Sequence, residues 1–559
     1  MESLCPHKTT AKNTNHFAQP TCTNLLCFFC TLINEPDPSL RRVKISKFFE
    51  EMPLREDPEH ILALSGLWNI AMTQIDDPEF PSLGIFECMA KLIRKGINQR
   101  DWLLKDQNIY IPYYAAHIIG SYTMKNDRFA ESAINSGVIL PLMELLRGKI
   151  TWVEKRVAVR AIGHLASHER IFEAIAAHEV EIVELTMRIA STCLDEVYDK
   201  FVGVTDSKRL KYHSDLLTRG LGGLELENRK AEEWASQLQC WSLFLLNCFA
   251  CKERCLSLIC KKEFLKDLRG MWGGLAIRAS PGGIGLIRTL CQTKTGRRSV
   301  ADLKEVTESL CSVSRSSDDC QYTAIDCLLL ILKDPDTRYN VIDIAAPILV
   351  DLVELGDTGG RPKLGDTITQ ALLQDYHKIK YGNLNLKSKR AEKALGEIWD
   401  LKVERKKEEK LMSKEEIRER KLLVGKLKRD GNVGFWSGDI AKAKMHYSEA
   451  LNLCPIKMRK ERVVLYSNRA QCFLLLRNPD AAISDATRAL CLSRLAKESL
   501  MDCLAFVSDY LKPGKSSSKR AKIPYYAARV INKQMNATWT FVPSKLKKAS
   551  ERRRKSRRV

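Results

Sequence analysis

Long apolar runs are missing from this 559-residue chain. No stretch reaches the roughly eighteen apolar residues that a membrane span needs, so membrane insertion is not expected. A secretory leader is not expected either. The apolar stretch Leu25–Ile33 is short, is interrupted by cysteines and follows a polar segment. Alternating strand-like runs are few, and apolar residues recur instead at helical spacing, which favours an all-α class. Reaction motifs are lacking too. There is no Walker loop, dinucleotide fingerprint, nucleophile elbow or His-Glu-x-x-His, so no enzymatic activity and no cofactor are expected. Acids are in short supply, 68 against 90 Lys and Arg, for a net charge of +22. Much of that excess is local: Lys545–Val559 holds nine basic residues and the single acid Glu551. Cysteine is plentiful at 19, yet Cys240, Cys248, Cys251, Cys255 and Cys260 lie inside helical apolar patterns. They read as small buried hydrophobes in a reducing cytosol.

From about Arg42 to Trp399 helical segments alternate with short Gly, Pro and Asp breaks. The clearest unit runs from Phe129 through Gly137 to Leu146, is followed by an apolar face over Glu154–Ala166, and restarts at Ile171–Ala176. Ile134 to Ile175 is 41 residues. This unit resembles the armadillo repeat, whose last helix opens with a glycine and buries a ladder of leucines. Ile325–Leu332 followed by Val341–Leu355 repeats the theme, and about five to eight repeats would fill the region. Import receptors of this fold hold basic peptides with Trp-x-x-x-Asn. Here Trp68 and Asn69 are adjacent and Trp241 precedes Asn247 by six, so that role is not expected. Trp234, Trp241 and Trp272 are read as core rather than groove.

Between Lys428 and Leu490 the chain writes out two helical hairpins. Ala443, Tyr447 and Ala450 of the first match Ala482, Ala486 and Ala489 of the second at a constant offset of 39. That is the tetratricopeptide period of about 34 plus a longer loop at Ile456–Lys460. Small residues let the helices approach and aromatic residues fill the gap above them. Gly431-Asn432 with Lys428 three residues earlier, and Asn468 within Tyr466-Ser467-Asn468-Arg469-Ala470, resemble the carboxylate-clamp class found in co-chaperones. The resemblance implies that Lys428, Asn432 and Asn468 hold the C-terminal carboxylate of an acidic heat-shock chaperone tail. On composition alone Lys428 is also one member of the solvated run Lys426–Arg429. Farther on, Ser499–Cys503 echoes Ala482–Ala486 at an offset of 17, half a repeat, so a third hairpin is read as truncated to its second helix. In the clamp class the absent helix supplies a Lys and an Arg. Their loss costs about 3–6 kcal/mol and leaves an incomplete cradle.

Elsewhere Ile111-Pro112-Tyr113-Tyr114-Ala115-Ala116 recurs as Ile523–Ala528, which reads as a shared helix start. The Lys, Arg and Glu alternation of 398–420 reads as a solvated helical strut. Its interleaved acids argue against nucleic-acid binding. The terminal Arg552–Arg558 is a solubilising tail, a nuclear signal or an RNA-contacting arm. Cys22, Cys27 and Cys30 are spaced like three soft metal ligands, with Cys5, His7 or His16 for a fourth; free thiols are the preferred reading, and no metal is favoured.

In this order the blocks resemble a family of plant armadillo/tetratricopeptide proteins, from about Cys22 to Phe541. The expected organisation is a mobile cysteine-containing head over 1–40, an armadillo/HEAT-like superhelical solenoid over 41–397, a connector over 398–420, tetratricopeptide-like repeats over 421–512 and a helix with a basic tail over 513–559. The resemblance implies a non-enzymatic scaffold that binds protein partners: chaperone tails at the hairpins and another protein on the solenoid. The alternative is a nuclear or RNA-associated adaptor acting through its tail. A cytoplasmic location is expected, with a nuclear one offered by the same tail.

Overall fold

A computed structural model describes residues 35–492 apart from 57–59, 220, 273–281, 317–319, 357–362 and 383. The cysteine head, the half-repeat at 499–503, the Ile523–Ala528 echo and the basic tail therefore lie outside the described residues. Every regular element among the described residues is helical, so the chain is all-α. It divides into two units, Met1–Thr289 and Leu290–Val559.

The first unit is built from α1 (Pro38–Glu51), α2 (His60–Thr73), α3 (Ile85–Asn98), α4 (Ile111–Tyr122), α5 (Asp127–Asn135), α6 (Ile139–Leu146), α7 (Trp152–Ala166), α8 (Glu179–Val197) and α9 (Leu224–Cys251). α5 begins and ends on local signals. The Asn126 side chain accepts from the Arg128 and Phe129 amides at 3.0 and 3.2 Å. Gly137, at φ +72°, ends the helix in the left-handed region that glycine tolerates. Pro112 occupies the first turn of α4. Helices α2, α4, α7 and α9 then pack side by side as a ladder. Close approach is built in: a Cβ on Gly120 of α4 would lie 3.2 Å from Ala161 of α7.

α7 starts with a capping box in which Thr151 and Glu154 cap one another. Glu154 is fully buried, with Oε2 on the Thr151 amide and hydroxyl and Oε1 without a partner. Burial pushes its carboxyl up to about 7, against the Thr151 hydrogen bonds that favour the anion. Nearby thiols behave alike, burial pushing Cys248 up to about 12. Cys240, Cys248 and Cys260 are buried as read from the sequence; Cys251 is exposed and Cys255 half-buried, because they sit where α9 ends and the chain turns.

In the second unit α10 (Cys320–Lys333) and α11 (Pro335–Leu349) continue the pattern and are followed by α12 (Lys389–Trp399) and α13 (Arg405–Leu411). The hairpins are α14 (Lys414–Trp436) with α15 (Ile440–Leu453), and α16 (Arg459–Leu475) with α17 (Pro479–Leu492). The charged connector is not one continuous solvated helix. It holds a π-helical turn over Asp400–Glu404, then α13, then an extended break at Met412. Arg405 donates to the Cys454 carbonyl at 2.7 Å and Glu409 accepts from the Ile456 amide at 2.9 Å, so α13 packs on the loop of the hairpins. Ser413 and Glu416 form a second capping box that restarts the helix.

The hairpins also lock onto the turn after α11. Asp351, whose side chain is fully buried, accepts from Arg488 Nε and Ser484 Oγ at 2.7 Å and pairs with Arg315. Glu354 takes both terminal nitrogens of the buried Arg462, and Arg488 also pairs with Glu397. Burial works against the charge on Arg462 and Arg488, yet the facing carboxylates hold both guanidiniums above their ordinary range.

Two outcomes are expected. Neutral Glu154 is the form the fold prefers, so its contribution is complete below the unfolded value of 4.5 and is lost as pH rises through about 7. Wild-type stability should therefore fall relative to Glu154→Gln by about 3 kcal/mol between pH 5 and pH 9, measured by denaturant titration of both proteins. Asp351→Ala should cost about 3–5 kcal/mol by stranding Arg488 and Arg315. Limited proteolysis should then cut the Met412 break faster than in wild type, while Asp351→Asn has a smaller effect.

Candidate peptide-binding clamp

The hairpins are held by a core in which the repeated small positions do what their spacing implies. Ala443, Ala450, Ala482 and Ala489 are buried at the crossings, with Tyr447, Leu465 and Tyr466 around them. Gly431 lies under the Tyr447 ring, where a Cβ would come within 2.6 Å of it. That contact brings the Tyr447 hydroxyl to Asn432, and the hydroxyl donates to Asn432 Oδ1 at 2.8 Å.

Asn468 joins from α16, its Nδ2 donating to the same Asn432 oxygen at 3.3 Å. Two donors fix that carbonyl, so the Asn432 amide nitrogen and the Asn468 amide oxygen are left for other partners. Lys428 lies one turn before Asn432 on α14, with its Nζ 2.5 Å from Glu461 Oε1 across the groove. Both side chains of this pair are about three-quarters buried. The three residues singled out in the sequence thus come together on the first helices of the two hairpins, and the ammonium among them has a carboxylate partner. Glu461 was missed by sequence reading because it stands 33 residues from Lys428, a separation no helical period links.

Two further cations of the hairpins have partners within the chain. Arg469 makes a two-pronged pair with buried Asp485, both contacts 2.7 Å, and also donates to Ser448. Arg459 donates to the Cys491 carbonyl at 3.3 Å near the end of α17, while Lys457 is exposed. Arg494 and Lys497 lie outside the described residues. Chemically the arrangement offers amide donors and one ammonium to an anion that can compete with Glu461. Among the described residues no group of three or more His, Cys, Asp or Glu is disposed to hold a metal. None of the described helices is by itself long and apolar enough to cross a membrane.

Comparison with known proteins gives short local likenesses. Protein unc-45 homolog B of Danio rerio is 41% identical over 64 residues, 11% of this chain and 7% of that protein. Sperm-associated antigen 1A of Danio rerio is 40% identical over 70 residues, 12% of this chain and 16% of that protein. The chain thus spans well under a fifth of either relative. Among solved structures, an engineered protein aligns over 90% of this chain and 97% of its own at 15% identity and a TM-score of 0.37. Residues 19–261, somewhat less than half of the chain, match the family model described as Plant ARM repeat, and the described residues of that stretch are helical, as in such repeats.

Proposed function

We propose that this protein is a non-enzymatic protein–protein interaction scaffold. Its armadillo-type array holds one partner, and its terminal hairpins bind the C-terminal carboxylate of an acidic peptide, as on heat-shock chaperone tails. The observation that carries the reading is the convergence of Lys428, Asn432 and Asn468 on the facing first helices of the hairpins. Glu461 then acts as a stand-in for the ligand. It pairs the largely buried ammonium and yields to a terminal carboxylate that can also take the Asn432 amide. A ligand carboxylate that replaces Glu461 keeps the charge-assisted contact to the ammonium and adds hydrogen bonds from the amide donors, each worth about 1.5–3 kcal/mol, so the exchange favours a well-placed ligand.

Calorimetric titration with an acidic pentapeptide, free or amidated at its C-terminus, tests this. The free peptide should bind weakly, the amidated one not measurably, and Lys428→Ala should weaken binding by about 1.5–3 kcal/mol. Glu461→Gln should strengthen it by up to about 1 kcal/mol because the ammonium is released. Equal affinity for the two peptides would remove the carboxylate reading.

A further inference from the structure

One face of the ladder in the first unit carries three guanidiniums that form no ion pair among the described residues. On α7, Arg156 and Arg160 stand one turn apart. Arg156 is buried: it donates to Gln237 Oε1 at 2.8 Å and to the Tyr113 hydroxyl at 3.2 Å, and it lies 3.8 Å over the Trp234 ring. Its Nε has no partner at all. Arg160 is half-buried, 5.7 Å from the Trp241 ring, and its one hydrogen bond is to His117 Nδ1 at 3.4 Å. Exposed Arg219 adds a third cation, 5.7 Å from the Trp68 ring. The buried indole N–H of Trp68, which packs edge-on to His117, also lacks an acceptor.

None of the three guanidiniums makes an ion pair among the described residues, although ion pairs are frequent elsewhere in the unit. Glu154 is capped by Thr151 and Glu233 pairs with Lys230; both carboxyls act on Arg156 through space, and neither forms an ion pair with it. Burial, and then the charge of Arg156, bring Arg160 down to about 10, and burial with the same arginines holds His117 well below its ordinary value. Partly desolvated donors with no acceptor are costly, and two like charges a turn apart add to that cost. A carboxylate arriving here would relieve both, with half-buried Trp234 and Phe244 beside it to take an apolar neighbour.

We propose that this ladder face is a binding groove for an acidic peptide segment, in which an Asp or Glu side chain of the partner engages Arg160 and Arg219 over the buried Arg156. The inference rests on the scaffold reading and names the chemistry of the array's partner. A nucleic-acid strand fits less well, since it needs a long track of cations and the first turn of α9 carries Glu225 and Glu227.

The test uses the full-length chain carrying Lys428→Ala and a fluorescent nonapeptide of alternating Glu and Phe, acetylated and amidated so that it has no terminal carboxylate for the hairpins. Its Gln/Phe counterpart and a labelled oligouridine are the comparators, read by anisotropy. The Glu peptide should bind, at least about tenfold more tightly than the Gln peptide, with affinity falling as salt is raised. Arg160→Gln should remove about tenfold or more while leaving the melting temperature within a few degrees. If Arg160→Gln does not fold, Arg219→Gln on the exposed rim should lower affinity several-fold. Equal binding of both peptides would overturn the acidic specificity while leaving a peptide-binding array. Binding unaffected by Arg160→Gln and Arg219→Gln, displacement by oligouridine, or no binding at millimolar peptide would overturn the proposal itself.

Discussion

The buried carboxylate of Asp351 is the constraint around which the second unit is arranged. A lone buried anion is costly, and here it is met by Arg488, Arg315 and the Ser484 hydroxyl together. Those partners come from the hairpins and from the helices before them, so the anion is satisfied only when both are in place. Glu354 with Arg462 repeats the arrangement a turn away. Such pairs add little net stability compared with apolar packing, but they penalise a wrong docking register heavily. The orientation of the hairpin groove therefore depends on ionic contacts made outside it, including one by Arg462, the neighbour of Glu461.

The two cationic surfaces follow opposite electrostatic strategies. At the hairpins the ammonium of Lys428 is already paired with Glu461, so a ligand gains only the difference between two carboxylates. On the ladder the guanidiniums are supported by aromatic faces and neutral acceptors, Tyr113, Gln237 and His117, which hold them in place without neutralising them. Stacking and neutral hydrogen bonds organise a cation yet leave its field available, which is the condition for attracting an anion.

Local features of the fold were legible in the sequence because they are written at short range. Gly137 marks the end of α5, and the alanine spacing of the hairpins names their crossings. The proximity of Asn432 and Asn468 could be read because it follows from the repeat itself. What stayed hidden is carried by pairs such as Arg462 with Glu354 and Arg488 with Asp351, 108 and 137 residues apart. The alternating charges of 398–420 suggested a strut for the same reason. Spacing within a helix says nothing about Arg405 and Glu409 ending on the Cys454–Ile456 turn. Reading the tryptophans as core was right for Trp241, which is buried, and incomplete for Trp234, which is half-buried under Arg156.

A usable signal was nevertheless present. Arg462 falls three and four residues before Leu465 and Tyr466, on the face that the hairpin buries, and Arg488 lies between Ala486 and Ala489. An arginine placed in an apolar stripe must find an acceptor on whatever that stripe packs against. Arg156 and Arg160 break the apolar face of α7 in the same way, flanked by Val157, Ala158 and Ala161. For Arg462 and Arg488 the answering carboxylates lie within this chain. For Arg156 and Arg160 none of the described carboxylates comes close enough for an ion pair, and the same rule then directs attention to a partner molecule.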